Sequence, residues 1–313
     1  MTGEAGRRVA VVDLGSNSTR LFLCEGIGPG GPEGPRWTMV TALKRGAAPD
    51  GTIAPDALAR TEACVADYAV RVREFDPGLV LALGTSAVRD APNRDAVAAI
   101  VERHLGAPLR TISGDEEAVL AYRGARLALP NVDGAVVVLD IGGGSTEIVR
   151  GGSGGPERAA SLQLGSVRST DRYLCHDPPL AKELEACRDE ALALAGPVLA
   201  EGLDGAPMVG VAGTITTVAA IRLGQWDPDR THGAVLTRGE VEATVERLAA
   251  MPLERRRRVP GLDPARGPSI VGGVVILAAA LEAARAEEIT VSERDLLDGA
   301  ALEAEALVAA VDG

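Results

Sequence analysis

Two stretches of the chain share one pattern of apolar and polar positions. The first is Val9-Ala10-Val11-Val12-Asp13-Leu14-Gly15-Ser16-Asn17-Ser18-Thr19-Arg20-Leu21-Phe22-Leu23. The second is Val136-Val137-Val138-Leu139-Asp140-Ile141-Gly142-Gly143-Gly144-Ser145-Thr146-Glu147-Ile148-Val149. A run of β-branched and aliphatic residues predicts a strand buried on both faces, and glycine with small polar residues predicts that it turns back into a second strand. Both copies run strand, Asp, aliphatic, Gly, two small residues, Ser-Thr, one charged residue, strand. Hairpin chemistry alone requires neither the Asp nor the Ser-Thr pair, so the repeat points to a common ligand chemistry. Successive amides in a glycine turn form a concave anion site, because glycine lets consecutive N–H groups point one way.

Gly26 to Pro35 lacks periodicity and reads as a surface turn, followed by a strand from Trp37 to Leu43. Helical spacing through Leu58, Cys64, Val65, Tyr68 and Val72, with Pro55 in the first turn, predicts a helix over 54–75. A short buried strand at 79–83 runs into the small, polar segment Gly84 to Asn93, which carries Arg89, and a helix follows to Leu105. After a strand at 109–112, Ser113 and Glu116 have capping-box spacing at a helix start. Glu117, one position further, is either a carboxylate favoured by the helix dipole or one with a chemical task.

In the second half, a strand at 159–164 precedes a helix opened by Gly165-Ser166-Val167-Arg168. The long helix at 180–203 contains Pro197, which predicts a kink or break. A strand at 208–212 ends in Gly213-Thr214-Ile215-Thr216-Thr217 before another helix, and Thr237 with Glu240 forms a second capping box. A helix over 268–284 holds Gly272-Gly273, a strand spans 288–291, and an amphipathic helix over 295–311 ends the chain. Strands then helices, run twice, predict an α/β fold of two domains with mixed sheets, both Asp-led hairpins facing an interdomain cleft.

Composition narrows the function. A chain of 313 residues with two Phe, two Trp and three Tyr has little to stack on bases, and its net charge of −12 opposes phosphate-backbone binding, so no nucleic-acid partner is expected. Four cysteines without C-x-x-C spacing, three scattered histidines and no apolar leader predict a reduced, cytoplasmic protein with neither a His-ligated zinc nor a membrane span. The run Arg255 to Arg258 reads as a solvated face or as an anion-recruiting patch.

Together, Asp13 to Arg20, Gly84 to Asn93, Ile112-Ser113-Gly114-Asp115-Glu116-Glu117-Ala118, Asp140 to Glu147, Leu164 to Arg168 and Gly213 to Thr217 resemble the exopolyphosphatase and guanosine pentaphosphate phosphohydrolase family, within the actin, heat-shock ATPase and sugar kinase superfamily. The resemblance covers nearly the whole chain. It implies two ribonuclease H-like (actin-like ATPase) domains, 1–127 plus 299–313 and 128–298, the terminal helix returning to the first, in a short form without the extra helical domains of longer members. One departure is Arg266-Gly267-Pro268, where relatives commonly carry Arg-Ala-Asp.

The resemblance implies an exopolyphosphatase that removes the terminal phosphate of polyphosphate, with guanosine pentaphosphate as the alternative substrate and a homodimer as the assembly. Glu117 matches the general base, and Arg89, with Arg20, would contact phosphate in the bidentate manner of arginine. Asp140 and Glu147, with Asp13 as a further metal or water-positioning residue, suit a hydrated Mg²⁺ or another divalent cation; stimulation by a monovalent cation is left open. Phosphate-binding groups would come from Gly15, Ser16, Asn17 and Ser18, from Gly142, Gly143, Gly144, Ser145 and Thr146, and from Gly213 and Thr214. Two rival readings are an ATP-dependent kinase, for which Gly272-Gly273 resembles an adenosine-side glycine pair, and a non-catalytic sensor of alarmone or polyphosphate.

Overall fold

The computed structural model describes residues 8–312 apart from 128, 130, 131, 133 and 201–204. The chain divides into two compact units, Met1–Leu127 with Leu296–Gly313, and Ala128–Asp295. The last residues of the helix expected over 180–203 lie outside the described residues.

The first unit contains β1 (Val9–Leu14), β2 (Thr19–Cys24), β3 (Gly26–Gly28), β4 (Gly31–Glu33), β5 (Arg36–Met39), α1 (Pro55–Phe75), β6 (Leu79–Gly84), α2 (Ser86–Arg89), α3 (Arg94–Leu105), β7 (Leu109–Thr111) and α4 (Gly114–Leu127). Its main sheet has the order β5-β2-β1-β6-β7, antiparallel on the β2 side of β1 and parallel on the β6 side. β1 is buried along its whole length, as an unbroken aliphatic run requires at the centre of a sheet covered on both faces.

The second unit contains β8 (Val136–Ile141), β9 (Thr146–Gly152), β10 (Gly155–Leu162), α5 (Ser166–Tyr173), α6 (Ala181–Ala200), β11 (Met208–Val211), α7 (Ala212–Leu223), α8 (Pro228–Thr231), β12 (Val235–Thr237), α9 (Arg238–Ala249), α10 (Leu253–Arg256), α11 (Ile270–Ala284) and β13 (Glu288–Val291). Its sheet order, β10-β9-β8-β11-β13-β12, repeats the strand order and directions of the first sheet and adds β12 as an antiparallel edge. The repeat seen in two segments of sequence is thus a repeat of whole sheets, the mixed α/β architecture expected of ribonuclease H-like units.

The final helix, α12 (Leu296–Asp312), belongs to the first unit. Leu296, Leu297, Ala300, Ala301 and Ala304 share a core with Val9, Val11, Phe22, Leu120 and Ala121. Arg36 fastens it by donating Nη1 and Nη2 to the buried Asp298 carboxylate at 2.8 and 2.6 Å. A Cβ at Gly299 would sit 2.0 Å from the Leu120 carbonyl oxygen, so the helix approaches α4 there with backbone against backbone.

Several local expectations change. Gly26 to Pro35 forms the two-stranded β3-β4 ladder, with Gly31 (φ 106°) and Gly34 (φ 145°) supplying a backbone conformation that other residues resist. The strand expected to Leu43 stops at Met39, because the Ala42 and Lys44 amides turn to the carbonyls of Asn17 and Ser16 at 2.8 and 3.0 Å. Pro197 does not end α6: Ala191, Ala195 and Leu199 keep one apolar face buried across it. Arg256 leaves the supposed solvated run and is buried, donating to the carbonyls of Leu248, Met251 and Gly267 and to Asp177. Both capping boxes form, Ser113 with Glu116 and Thr237 with Glu240. No helix among the described residues is long and apolar enough to cross a membrane.

Candidate functional site

In the first unit the β1-β2 turn closes through a bond from the Gly15 amide to the Ser18 carbonyl (2.9 Å), and a Cβ at Gly15 would lie the same 2.9 Å from that oxygen. Register places Asp13 directly opposite Arg20, so both side chains leave the same face of the sheet. Arg20 donates Nε to Asp13 Oδ2 at 2.8 Å, and its Nη2 lies 2.8 Å from the same oxygen. The neighbouring strand β6 ends beside this turn, where the Thr85 amide donates to the Leu14 carbonyl at 3.3 Å. The short helix α2 then delivers Arg89 to α4.

Arg89 Nη1 donates to Glu117 Oε2 at 3.0 Å and to the Ile112 carbonyl at 2.9 Å. Glu117 is 8% exposed, and burial pushes its carboxyl up to about 7 against the opposing pull of Arg89; Asp13 adds to the rise and Arg20 opposes it. Desolvation wins here because a carboxylate loses most of its hydration on burial, whereas one shared guanidinium restores only part of it. Adjacent Glu116 behaves oppositely. Bonds from the Ser113 amide, Arg110 and the Ser113 hydroxyl hold it below the usual carboxylate range. Two neighbouring, chemically identical residues are therefore shifted in opposite directions by what each faces from the helix.

Among the buried polar atoms of this half that find no hydrogen-bond partner among the described residues are Ser16 Oγ and Asn17 Oδ1 on the hairpin and Ser86 Oγ and Arg89 Nη2 on α2. Buried polar atoms without partners are costly and uncommon, so their gathering on the hairpin and on α2 marks a place prepared for a polar ligand.

The second unit builds the same turn with other charges. The Gly142 amide donates to the Ser145 carbonyl at 3.0 Å, and register sets Asp140 opposite Glu147, so that a second carboxylate occupies the position held by Arg20 in the first hairpin. Both acids are buried, and Ser161 on β10 donates its hydroxyl to Glu147 Oε1 at 2.7 Å. The first turn of α5 holds the hairpin from its carbonyl side: Ser166 and Val167 donate their amides to Gly142 and Gly143 at 2.9 Å each, and Arg168 Nε donates to Gly144 at 2.6 Å. Thr146 Oγ1 donates to the Leu164 carbonyl at 2.7 Å. Gly165 must be glycine, since a Cβ would lie 2.6 Å from Gly143 backbone atoms.

Gly213 and Thr214 fall in the first turn of α7, just after β11 has paired Val211 with Asp140. The Arg266 guanidinium lies against Gly213, where a Cβ would stand 2.0 Å from Nη1. Gly272 and Gly273 are buried inside α11, where added Cβ atoms would meet Thr170 Oγ1 at 2.5 Å and Thr214 at 2.8 Å. That pair lies where α11 packs closely against α5 and α7.

The predicted residues thus fall into two sets: Asp13, Gly15 to Ser18, Arg20, Arg89 and Glu117 in the first unit, and Asp140, Gly142 to Thr146, Glu147, Gly213 and Thr214 in the second. Among the described residues no three His, Cys, Asp or Glu side chains gather around one point. The Asp140-Glu147 pair is a two-carboxylate donor set, which suits a cation that keeps several waters. Sequence reasoning missed Ser161, which carries no motif and is reached only through the register of β9 with β10.

The chain matches the Ppx/GppA phosphatase family over residues 36–306. It is 35% identical to exopolyphosphatase 2 of Mycobacterium tuberculosis, over 94% of this chain and 98% of that protein. The crystal structure of the Aquifex aeolicus Ppx/GppA family member superposes with a TM-score of 0.76 at 29% identity, over 97% of each chain. An exopolyphosphatase from Cytophaga hutchinsonii shares the fold with a TM-score of 0.84 at 24% identity, over 93% of this chain and 96% of that one.

Proposed function

Because this chain belongs to the Ppx/GppA phosphatase family, we propose that it is an exopolyphosphatase, releasing orthophosphate from the end of inorganic polyphosphate with Glu117 as the general base. One observation carries the reading: Glu117 is buried, held by Arg89 Nη1 and raised to about 7, while Arg89 Nη2 is buried without a hydrogen-bond partner among the described residues. A base poised near neutral pH both exists as carboxylate and accepts a proton effectively. The relatives named exopolyphosphatase support the substrate.

In this mechanism Glu117 takes a proton from water as the water oxygen forms a bond to the terminal phosphorus. The bridging P–O bond breaks, and the shortened chain leaves with the bond electrons. Arg89 orients the base through Nη1 and offers Nη2 to a phosphoryl oxygen. Ser16, Asn17 and Ser86 supply polar contacts to the chain, and the two glycine turns supply amides. Asp13 aims the Arg20 guanidinium through Oδ2 and would serve as a further metal or water-positioning residue. Asp140 and Glu147 would hold Mg²⁺, which when bound supplies neutralisation of phosphate charge.

Phosphate release from long polyphosphate, short polyphosphate and guanosine pentaphosphate, measured side by side with Mg²⁺, tests the proposal. Long polyphosphate is expected to give the highest kcat/KM. Release from none of the three, or a higher kcat/KM for guanosine pentaphosphate, would overturn it.

A further inference from the structure

Arg60, in the second turn of α1, takes no part in the mechanism above. Its Nη1 donates to Asp56 Oδ2 at 2.5 Å, an ordinary i,i+4 pair at the surface. The other two nitrogens reach the loop between β5 and α1, which holds neither helix nor strand. Nε donates to the carbonyl of buried Thr41 at 2.9 Å, and Nη2 to that of buried Ala42 at 3.4 Å.

A trans peptide unit points its carbonyl and its N–H to opposite sides, so a bond that fixes one also fixes the other. The unit whose carbonyl Arg60 holds carries the Ala42 amide, which donates to the Asn17 carbonyl at 2.8 Å. The Asn17 carbonyl belongs in turn to the unit that carries the Ser18 amide. A row of aligned groups therefore runs from the Arg60 charge to the hairpin turn: guanidinium, Thr41–Ala42 peptide, Asn17–Ser18 peptide. Hydrogen bonds in such a row polarise one another. Beside it, the Lys44 amide holds the Ser16 carbonyl at 3.0 Å and so turns the Asn17 amide away from the loop as well. Two successive N–H groups directed to one side make a cradle for an anion.

The second hairpin has the same support from a different element. At the matching positions of the repeat, the Gly143 carbonyl accepts the Val167 and Arg168 amides at 2.9 and 3.1 Å, and the Gly144 carbonyl accepts Arg168 Nε at 2.6 Å. There a helix supplies the donors, and an arginine holds the second carbonyl directly. In the first unit a loop supplies them, with Ala42 in the left-handed region (φ 50°), where a residue bearing a side chain stays only if its surroundings hold it. Arg60 grips the carbonyl on either side of that residue.

We propose that Arg60 is a positioning residue for phosphate binding: without touching substrate, it keeps the Asn17 and Ser18 amides aimed at a phosphate group of the polyphosphate chain. This rests on the polyphosphate reading above.

Arg60→Met should raise KM for long polyphosphate about tenfold, the loss of most of one hydrogen bond to a charged group. Its kcat should stay within about threefold of wild type, because such a contact is made alike before and during bond breaking. Arg60→Lys, which keeps the charge and one donor but not the fork, should lie between. Arg71→Met is the control: it removes an i,i+4 pair with Asp67 and a contact with Trp37 from the same helix, and KM should not change. Amide hydrogen exchange, read residue by residue by NMR on the protein without substrate, checks the route. Ala42 should exchange about tenfold faster in Arg60→Met than in wild type, and at the wild-type rate in the control. A KM in Arg60→Met within about twofold of wild type, an equal rise in Arg71→Met, a loss confined to kcat, or unchanged exchange at Ala42 would overturn the assignment. If Arg60→Met fails to fold, the same readings on Arg60→Lys decide it. Wild-type protein that releases no phosphate from polyphosphate would sink the functional reading; release with a KM indifferent to Arg60 would sink only this one.

Discussion

Replacing Glu117 by Gln should slow turnover and, above neutral pH, stabilise the protein. In the folded chain the carboxyl is raised from an ordinary 4.5 to about 7, so the folded state holds a proton that the unfolded chain releases. Stability from this group is complete below about 4.5 and is lost as pH rises through about 7. At roughly 1.4 kcal/mol per pH unit, this amounts to about 3 kcal/mol as an upper value. Gln keeps an oxygen for Arg89 but cannot ionise. Wild type and Glu117→Gln should therefore unfold at the same denaturant concentration near pH 4.5, and the variant should become progressively the more stable up to about pH 8. Over the same range the wild-type rate should rise through about pH 7, and the variant should be slower by ~10²–10⁴-fold, the usual contribution of a general base. Urea midpoints and phosphate release measured across this range decide the matter. A stability difference that is flat with pH, or that favours wild type as pH rises, would refute the burial argument, and an active Glu117→Gln would refute the role.

Glu116→Gln should keep most activity and lose no more than about 1 kcal/mol, since Gln also closes a capping box with Ser113; a larger rate loss than at Glu117 would show the two roles to be reversed. Ser161→Ala should raise the Mg²⁺ concentration for half-maximal rate by about 10–100-fold, the usual weight of a residue that orients a metal ligand, and weaken Mg²⁺ binding in calorimetry, with Ser161→Thr closer to wild type. Arg256→Met should lower stability by at least about 2 kcal/mol, because buried carbonyls lose their donor, while KM for polyphosphate stays unchanged. A raised KM with no change in melting temperature would restore the anion-recruiting reading of the arginine run.

The fold was legible where local chemistry and long-range packing agree. Val9 to Val12 and Val136 to Leu139 could only be central strands, and the Asp-Gly-Ser-Thr order between strands fixed both hairpins. The consequence of that order was also within reach: in a tight hairpin Asp13 must face Arg20, and Asp140 must face Glu147, so one turn carries an ion pair and the other two acids. Other features depend on partners far away in the chain. Arg256 sits in a charge run that ordinarily stays in water, and its burial is explained by Asp177, 79 residues earlier, together with the carbonyls at 248, 251 and 267. The capping-box spacing from Ser113 sets Glu116 apart from Glu117, but nothing local gives Glu117 its partner. That partner is Arg89, 28 residues earlier.

The placement of α12 imposes an order on biosynthesis. The helix completes the core around Val9, Phe22 and Leu120, yet it is made only after the residues from 128 to 295. At about 5–20 residues per second, those residues take the ribosome roughly 10–30 s. Throughout that interval the nascent first unit carries an apolar groove and the Arg36 guanidinium that Asp298 will later meet. The second unit, contiguous in the chain, is free to fold first, so the half that carries Glu117 is the last to mature.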